Sequence, residues 1–189
     1  MDTYEAIMTR RSIRKFTNEP VSDDVMVKLL EAARLSAVGA NMQPLKFIAV
    51  KNQALVNEIF KYTKWSGYAK EGAPSEDERP NIFIAILLDK NLRQVTTADS
   101  GIAASSMMIL ANSLNLGSCM LGAINREEIG KLLDIDIEAL YPEYLIGFGY
   151  PAMESKAVEI KDGDVKYYFG EDGVLNVPKR TFSEVCKII

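Results

Sequence analysis

Positive charge is concentrated near the start of the chain, where Arg10, Arg11, Arg14 and Lys15 lie within six positions around Ser12. Guanidinium groups donate charge-assisted hydrogen bonds to phosphate in pairs, and a serine hydroxyl adds a neutral donor. This combination of residue types predicts a phosphate-binding site. The alternative is that basic residues following a short first helix only complement the dipole at its carboxyl end.

A second polar pair lies further along, in a turn that precedes a predicted strand. Asn41 and Gln43 are two positions apart, so in an extended backbone both amides point to the same side. Amide donors and acceptors in one plane are suited to recognising the edge of a heterocycle. Ordinary turn chemistry is the alternative, because glycine, asparagine and proline all occur in this stretch and are common in turns.

The absence of histidine excludes several kinds of catalysis. Ser-His and Cys-His nucleophile pairs, histidine bases and histidine-ligated metals are unavailable, so demanding chemistry needs carboxylates, lysine, tyrosine or a bound cofactor. We favour a cofactor. Cys119 and Cys186 are far apart and form no CxxC pair, so we predict no metal site, an inert buried thiol at Cys119 and a reducing, cytoplasmic location.

The composition is typical of a soluble globular protein with a single domain, which we place at residues 1–189. Hydrophobic residues make up 48% of the chain and charged residues 25%, which are ordinary values. The net charge of -4 gives no reason to expect nucleic acid or an acidic membrane surface as a partner. Acidic residues and the lack of an apolar stretch near the N-terminus argue against a secretory signal.

A central helix is expected to organise the chain around these polar groups. Residues 101–114 are nearly all apolar or small, which predicts a helix buried on every side. Serines and an asparagine interrupt the apolar run, and a membrane span needs ~20 apolar residues, so we reject a transmembrane helix. After it we expect a short strand over residues 118–121, closed by Gly122, where backbone can come close to a ligand.

The remaining segments are interpreted as covering helices and buried strands. A near-continuous apolar strand at residues 81–89 should lie centrally in a sheet that is covered on both faces. Ser22 is the expected N-cap of an amphipathic helix, and Asn125 is the expected cap of another. Residues 62–80 show no clear period and are interpreted either as a lid over a site or as a simple connector.

In their order along the chain, these pieces resemble the nitroreductase family of FMN-dependent oxidoreductases. The motifs that carry the resemblance are RRSIRKF at residues 10–16, GANMQPLKF at 39–47, the apolar strand that ends at Asp89, DSGIAASSMMILANSLNLGSC at 99–119, GFGYP at 147–151 and VPKRTFSEV at 177–185. Each motif is weak alone, whereas the ordered set covers nearly the whole chain. Ala37-Val38 and Leu45 stand where many members have Pro-Ser and Trp, so we expect them to affect substrate preference more than FMN binding.

The resemblance implies an α+β fold in which a mainly antiparallel central sheet is sandwiched by helices. It also implies an obligate homodimer with two FMN sites at the subunit interface. The central helix would form much of that interface, and the C-terminal tail would extend to the partner subunit.

By the same resemblance, three groups of residues bind FMN. The ribityl phosphate and chain are held by Arg10, Ser12 and Arg14 with Lys179 and Arg180, and Arg11 lies beside them. The isoalloxazine is approached from the opposite subunit by Val38, Gly39, Asn41 and Gln43. Backbone N–H groups near flavin N5 and O4 come from Leu121, Gly122 and Ala123, and a cation near N1 and O2 comes from Lys61 or Lys64.

The implied activity is a ping-pong oxidoreduction. NADH or NADPH delivers hydride to the flavin and leaves, and an electron-poor small molecule such as a nitroaromatic or a quinone takes its place. No side chain is assigned as a catalytic acid or base, because the flavin carries the chemistry. The alternatives are another flavin reaction on the same scaffold, such as dehydrogenation or reductive dehalogenation, a flavin-binding sensor with little turnover, and a dimeric interaction module without flavin.

Overall fold

Helices and strands alternate along most of the chain. The computed structural model describes residues 1–95 and 98–189. Its helices are α1 (Thr3–Thr9), α2 (Asp23–Arg34), α3 (Gln53–Lys61), α4 (Asp99–Ser113), α5 (Arg126–Leu132) and α6 (Phe182–Val185). Its strands are β1 (Leu45–Val50), β2 (Ile82–Asp89), β3 (Gly117–Leu121), β4 (Leu140–Gly149), β5 (Ser155–Glu159), β6 (Tyr168–Phe169) and β7 (Leu175–Lys179).

The central sheet has four strands in the order β1-β2-β4-β3, and each neighbouring pair is antiparallel. Seven of the eight residues of β2 are buried, as an unbroken apolar run predicts for a strand covered on both faces. β3 lies at an edge of this sheet. The prediction of an α+β fold built on a mainly antiparallel sheet is confirmed.

Helices cover both faces of the central sheet. Side chains alternate along β2, so its even-numbered residues from Ile82 to Ile86 pack with residues of α2 and α4 on one face. The odd-numbered residues from Phe83 to Leu87 pack with residues of α3 and α5 on the other face. The predicted helical sandwich is therefore confirmed as well.

Six of the fifteen residues of helix α4 are buried, among them Ala104 and Met107. Gly101, Ile102 and Ser105 form a stripe exposed to solvent, so the prediction of burial on every side is wrong for the single chain. The stripe consists mainly of small residues, which composition alone does not distinguish from buried ones. Among residues 1–95 and 98–189, no helix is long and apolar enough to cross a membrane.

The C-terminal part of the chain forms a second, smaller sheet in the order β5-β7-β6. β7 lies parallel to β5 and antiparallel to β6, so this part of the tail pairs within its own chain. Beyond β7 the tail is exposed, with Phe182 at 68% and Ile188 at 87%. Extension of these last residues to a partner subunit stays a prediction.

Candidate functional site

The basic segment near the N-terminus lies along the edge of the central sheet, on β3. Ser12 forms a parallel bridge with Ser118, and the N–H of Ile13 donates to the carbonyl oxygen of Ser118 at 2.9 Å. A Cβ added to Gly117 would lie 2.7 Å from Cγ2 of Ile13. Glycine at 117 therefore lets the basic segment approach the strand closely.

Alternation along this extended segment separates its side chains into two sets. Arg10, Ser12 and Arg14 share one side, and the charges of Arg14 and Arg10 both act on the buried Cys119 of β3. Arg11 and Ile13 take the other side and line a cavity of about 230 Å³. The structure thus brings Arg10, Ser12 and Arg14 together beside β3 and turns Arg11 away from them.

The three arginines of this segment carry positive charge that the described part of the chain does not neutralise. Lys15 pairs with Glu78 at 3.3 Å, whereas no ion pair joins Arg10, Arg11 or Arg14 to a carboxylate among residues 1–95 and 98–189. Nε of Arg11 is buried without a partner within those residues, and burial, then the charge of Arg10, lowers the pKa of Arg11. Unpaired cations are stabilised by an anion, so Arg10 and Arg14, which share one side of the segment with Ser12, fit a phosphate group.

Arg14 also connects the basic segment to the surface excursion after α3. Its guanidinium carbon lies 4.8 Å from the ring centroid of Tyr167, and the Tyr167 hydroxyl accepts the backbone N–H groups of Gly67 at 2.6 Å and Tyr68 at 3.2 Å. Burial raises the pKa of Tyr167, but the hydrogen bonds to its oxygen and the charge of Arg14 together lower it. The excursion is thereby attached beside the basic segment, and its role as a lid stays a prediction.

The other end of β3 carries the predicted backbone donors. Gly122 and Ala123 are exposed directly after the strand, about 13 Å from Ser118 at the strand's usual rise per residue. The carbonyl oxygen of Ala123 accepts the N–H of Lys64 at 2.9 Å. A cavity of about 490 Å³ is lined by Lys61, Tyr62, Thr63, Lys64, Ala123, Ile124 and Asn125. Both candidate lysines therefore lie beside the backbone that follows β3.

The turn that holds the amide pair is attached to the start of α4. The N–H of Gly39 donates to Oδ1 of Asp99 at 3.0 Å, and Nη1 of Arg93 lies 3.3 Å from Oδ2 of the same carboxylate. Asp99 is only 2% exposed. A Cβ added to Gly39 would lie 3.3 Å from Nη1 of Arg93, so glycine leaves room for this arrangement.

The backbone of this turn differs from the sequence prediction. Ala40, Asn41 and Gln43 have φ values of 51°, 53° and 51°, so the extended conformation that we assumed for the amide pair is wrong. Residues two apart point to the same side only in an extended strand, whereas these residues lie in the left-handed region. A non-glycine residue in that region costs conformational energy. Non-glycine residues held in this region occur often at ligand-binding sites.

Replacing Ala40 by glycine should raise the free energy of unfolding of the cofactor-free protein by about 0.5–1 kcal/mol, because glycine adopts a positive φ without strain. Urea denaturation measures this change. The exposed Ala37, replaced by glycine, is the matched control and should leave stability unchanged or lower it. A destabilised Ala40→Gly protein would contradict the observed backbone conformation.

The basic segment and the amide turn lie at opposite ends of α4. At the carboxyl end, Nδ2 of Asn112 donates to the carbonyl of Ala6 at 3.0 Å and to Oγ1 of Thr9 at 2.9 Å, directly before the basic segment. At the amino end, Asp99 holds Gly39. Thirteen residues of α-helix span about 20 Å. Within one chain the basic segment and the amide turn are therefore separated by about this distance along α4.

Lys179 and Arg180 lie at the far end of β7. Lys179 stands opposite Glu159 of β5, and Arg180 pairs with Glu184 at 3.4 Å. Arg14 contacts the region before β5, where its N–H donates to the Met153 sulfur at 3.3 Å. Since β5 and β7 run parallel for five residues, about 13–16 Å of strand separates the two sites. Within the described residues, no hydrogen bond or ion pair joins Lys179 or Arg180 to residues 10–15.

Three residues of this region were not found from the sequence. Asp99 is a buried charge heading an apolar helix, and Arg126 is a cation in the first turn of α5 where acids are favoured; both are signals that could have been used. Tyr167 has no distinguishing pattern in the sequence.

Native protein should react with a thiol reagent such as DTNB at Cys186 and not at Cys119. Burial raises the pKa of Cys119 to about 11, against the charges of Arg14 and Arg10, whereas Cys186 is exposed. The folded state holds the Cys119 proton more tightly than the unfolded state does. The stabilisation that results is fully present below the ordinary pKa of 9.0 and is lost as the pH rises through about 11. Rapid reaction of both thiols near neutral pH would contradict the burial.

Comparison with known proteins identifies the family. The Nitroreductase family profile matches residues 7–150. A protein of Methanothermobacter thermautotrophicus, provisionally named NADH dehydrogenase/NAD(P)H nitroreductase, is 30% identical over 171 residues, which are 87% of this chain and 85% of that protein. The chain belongs to the nitroreductase family.

Solved structures agree with this assignment. A provisionally assigned nitroreductase from Desulfovibrio desulfuricans, solved in complex with FMN, is 28% identical with a TM-score of 0.68, over 81% of this chain and 88% of that one. An FMN-dependent nitroreductase from Clostridium difficile is 25% identical with a TM-score of 0.70, over 89% of this chain and 98% of that one. The shared fold therefore extends over most of the chain.

Proposed function

We propose that this chain is an FMN-dependent oxidoreductase that takes electrons from NADH or NADPH and passes them to an electron-poor small molecule. The observation that carries the proposal is the pair Arg10 and Arg14 on the edge of the central sheet, for which residues 1–95 and 98–189 supply no carboxylate partner, in a chain whose D. desulfuricans relative was solved with FMN. The M. thermautotrophicus relative carries a name that specifies NADH and NAD(P)H.

The chain's own residues have distinct roles in this proposal. Arg10, Ser12 and Arg14 bind the phosphate, and the backbone after β3 lies against the ring some distance further along the same strand. FMN supplies the hydride chemistry when bound, so the protein needs no catalytic acid or base. Lys61 or Lys64 provides positive charge that favours the reduced, anionic cofactor.

The proposed protein is a homodimer of single-domain chains in which each FMN site takes residues from both subunits. The separation of about 20 Å along α4 supports this arrangement, because it leaves the phosphate-binding arginines of one chain remote from the amide turn of that same chain. The exposed stripe of Gly101, Ile102 and Ser105 offers a flat surface for a second copy. The two free cysteines are in keeping with a cytoplasmic location.

The proposed acceptors are nitroaromatics and quinones. Val38, Gln43 and Leu45 line a cavity of about 390 Å³ beside the amide turn. Leu45 is smaller than the tryptophan that many nitroreductases have at this position, so it leaves more room for the acceptor. This cavity is the part of the chain that we expect to set acceptor preference.

Steady-state kinetics with NADH and NADPH against a quinone and a nitroaromatic test the proposed function. A ping-pong reaction gives parallel lines in double-reciprocal plots at several acceptor concentrations. Intersecting lines would contradict the shared position of donor and acceptor. FMN-loaded protein that oxidises neither nucleotide would contradict the activity as a whole.

A further inference from the structure

Arg126 is a half-buried side chain that joins the end of β3 to β4. Its Nη2 donates to the carbonyl oxygens of Gly122 at 3.3 Å and Glu143 at 3.2 Å, and its Nε donates to the carbonyl oxygen of Pro142 at 2.9 Å. No ion pair involves Arg126 within residues 1–95 and 98–189. The guanidinium therefore donates its hydrogen bonds to backbone carbonyl oxygens.

The carbonyls of β4 that Arg126 binds lie at a bulge. The pairing of β2 with β4 shifts between Ile86 and Leu87, which leaves Glu143 as an extra residue in β4. A bulge disrupts the ladder locally and leaves backbone groups in need of other partners. Arg126 donates to two of these groups, the carbonyl oxygens of Pro142 and Glu143. These two hydrogen bonds anchor its guanidinium to β4, and the third binds Gly122.

The contact with Gly122 fixes the orientation of one peptide group. The carbonyl oxygen of Gly122 accepts both Arg126 and the N–H of Ile124 at 3.1 Å. In a trans peptide the C=O and N–H groups point in opposite directions, so the N–H of Ala123 points away from Arg126. This N–H has no backbone acceptor among the described residues, and Ala123 is exposed.

We propose that Arg126 is a positioning residue for the cofactor: it holds the Gly122–Ala123 peptide so that the N–H of Ala123 is presented to the bound flavin ring. The inference rests on the proposed function, in which the backbone after β3 lies near N5 and O4. Donors that are fixed beforehand stabilise charge that develops during reaction without having to reorganise. The backbone N–H of Lys64 donates to the carbonyl oxygen of Ala123 at 2.9 Å and so holds the next peptide group as well.

The place of Arg126 in its own helix supports a role outside that helix. Arg126 is the first residue of α5, directly after the N-cap Asn125. The positive end of the helix dipole favours acids there, such as the Glu127 and Glu128 that follow, and disfavours a cation. A residue that opposes its local preference is expected where a site requires it.

The test measures the two-electron midpoint potential of bound FMN and the hydrogen exchange of the Ala123 amide. Arg126→Gln should weaken the preference for reduced over oxidised FMN about tenfold, which is about 30 mV for a two-electron couple, and should speed exchange at Ala123 in the loaded protein. Arg126→Lys keeps the charge but cannot reach all three carbonyls, so an intermediate shift is expected. Lys131→Gln removes a charge from the same helix at an exposed pair with Glu128 and should change neither quantity.

The outcomes separate this inference from the proposed function. Parent protein that fails to bind FMN would overturn both. Parent protein that binds FMN, together with an Arg126→Gln protein of unchanged potential and unchanged Ala123 exchange, would overturn the positioning role alone, even if that variant melts at a lower temperature. If Arg126→Gln does not fold, an unshifted potential in Arg126→Lys overturns the role instead.

Discussion

Replacing both Arg10 and Arg14 by glutamine should leave the protein folded and weaken FMN binding roughly a hundredfold to ten-thousandfold, because charge-assisted hydrogen bonds contribute about 1.5–3 kcal/mol each, or about 3–6 kcal/mol for the pair. Glutamine keeps much of the side-chain length and removes the charge. Neither arginine has a carboxylate partner in the described part of the chain, so no ion pair is lost with it. Titration of the cofactor-free protein with FMN, followed by flavin fluorescence, measures the dissociation constant.

Two comparisons make this result specific. Arg11→Gln should lose less FMN affinity, because the extended backbone turns Arg11 to the opposite side. Lys51→Gln removes an exposed charge that pairs with Asp23 and should have no effect. Unchanged FMN affinity in the double variant, at unchanged thermal stability, would contradict the phosphate role of the basic segment.

Replacing Ser105 by arginine should convert the protein to a monomer and abolish tight FMN binding, with a loss of at least about a hundredfold. Ser105 is exposed in the single chain, so the change leaves the monomer fold intact. A long charged side chain on a close helical contact has to be desolvated when a second copy packs against it, which disfavours the dimer. Without that copy, each site lacks the amide turn that the proposed dimer supplies from the partner subunit.

Sedimentation and FMN titration on the same sample measure both effects. Asn91→Arg introduces the same side chain at an exposed position outside α4 and should remain a dimer with full FMN affinity. A Ser105→Arg protein that stays dimeric would show that α4 is not the interface. A monomeric Ser105→Arg protein with undiminished FMN affinity would show that the second chain contributes nothing to the site.

Much of the fold was predictable because its signals are local in sequence. The apolar run of β2 predicted a central strand, and Asp2, Ser22 and Asn125 each cap the helix that follows them through a side-chain oxygen. Cap preferences and hydrophobic runs depend on neighbours a few positions away. These features therefore appear in the sequence before any tertiary contact is known.

The candidate site was predicted less completely because it depends on contacts between distant segments. The positive φ of Asn41 and Gln43 is imposed by a turn fastened to Asp99, sixty positions from Gly39. The role of Arg126 depends on a bulge in β4 that no residue pattern indicated. The separation of the basic segment from the amide turn emerges only when both are placed on α4. Residue types predicted a phosphate and a heterocycle as ligands, and the fold determines which of these residues lie together.

The visible absorption spectrum of the purified protein, recorded before and after anaerobic NADH and then NADPH, tests the central claim most directly. We expect a flavin spectrum, either as purified or after FMN is added, that bleaches with at least one nucleotide and returns when an electron-poor acceptor is added. Protein that remains colourless after incubation with FMN, or bound flavin that neither nucleotide reduces, would contradict an FMN-dependent NAD(P)H oxidoreductase.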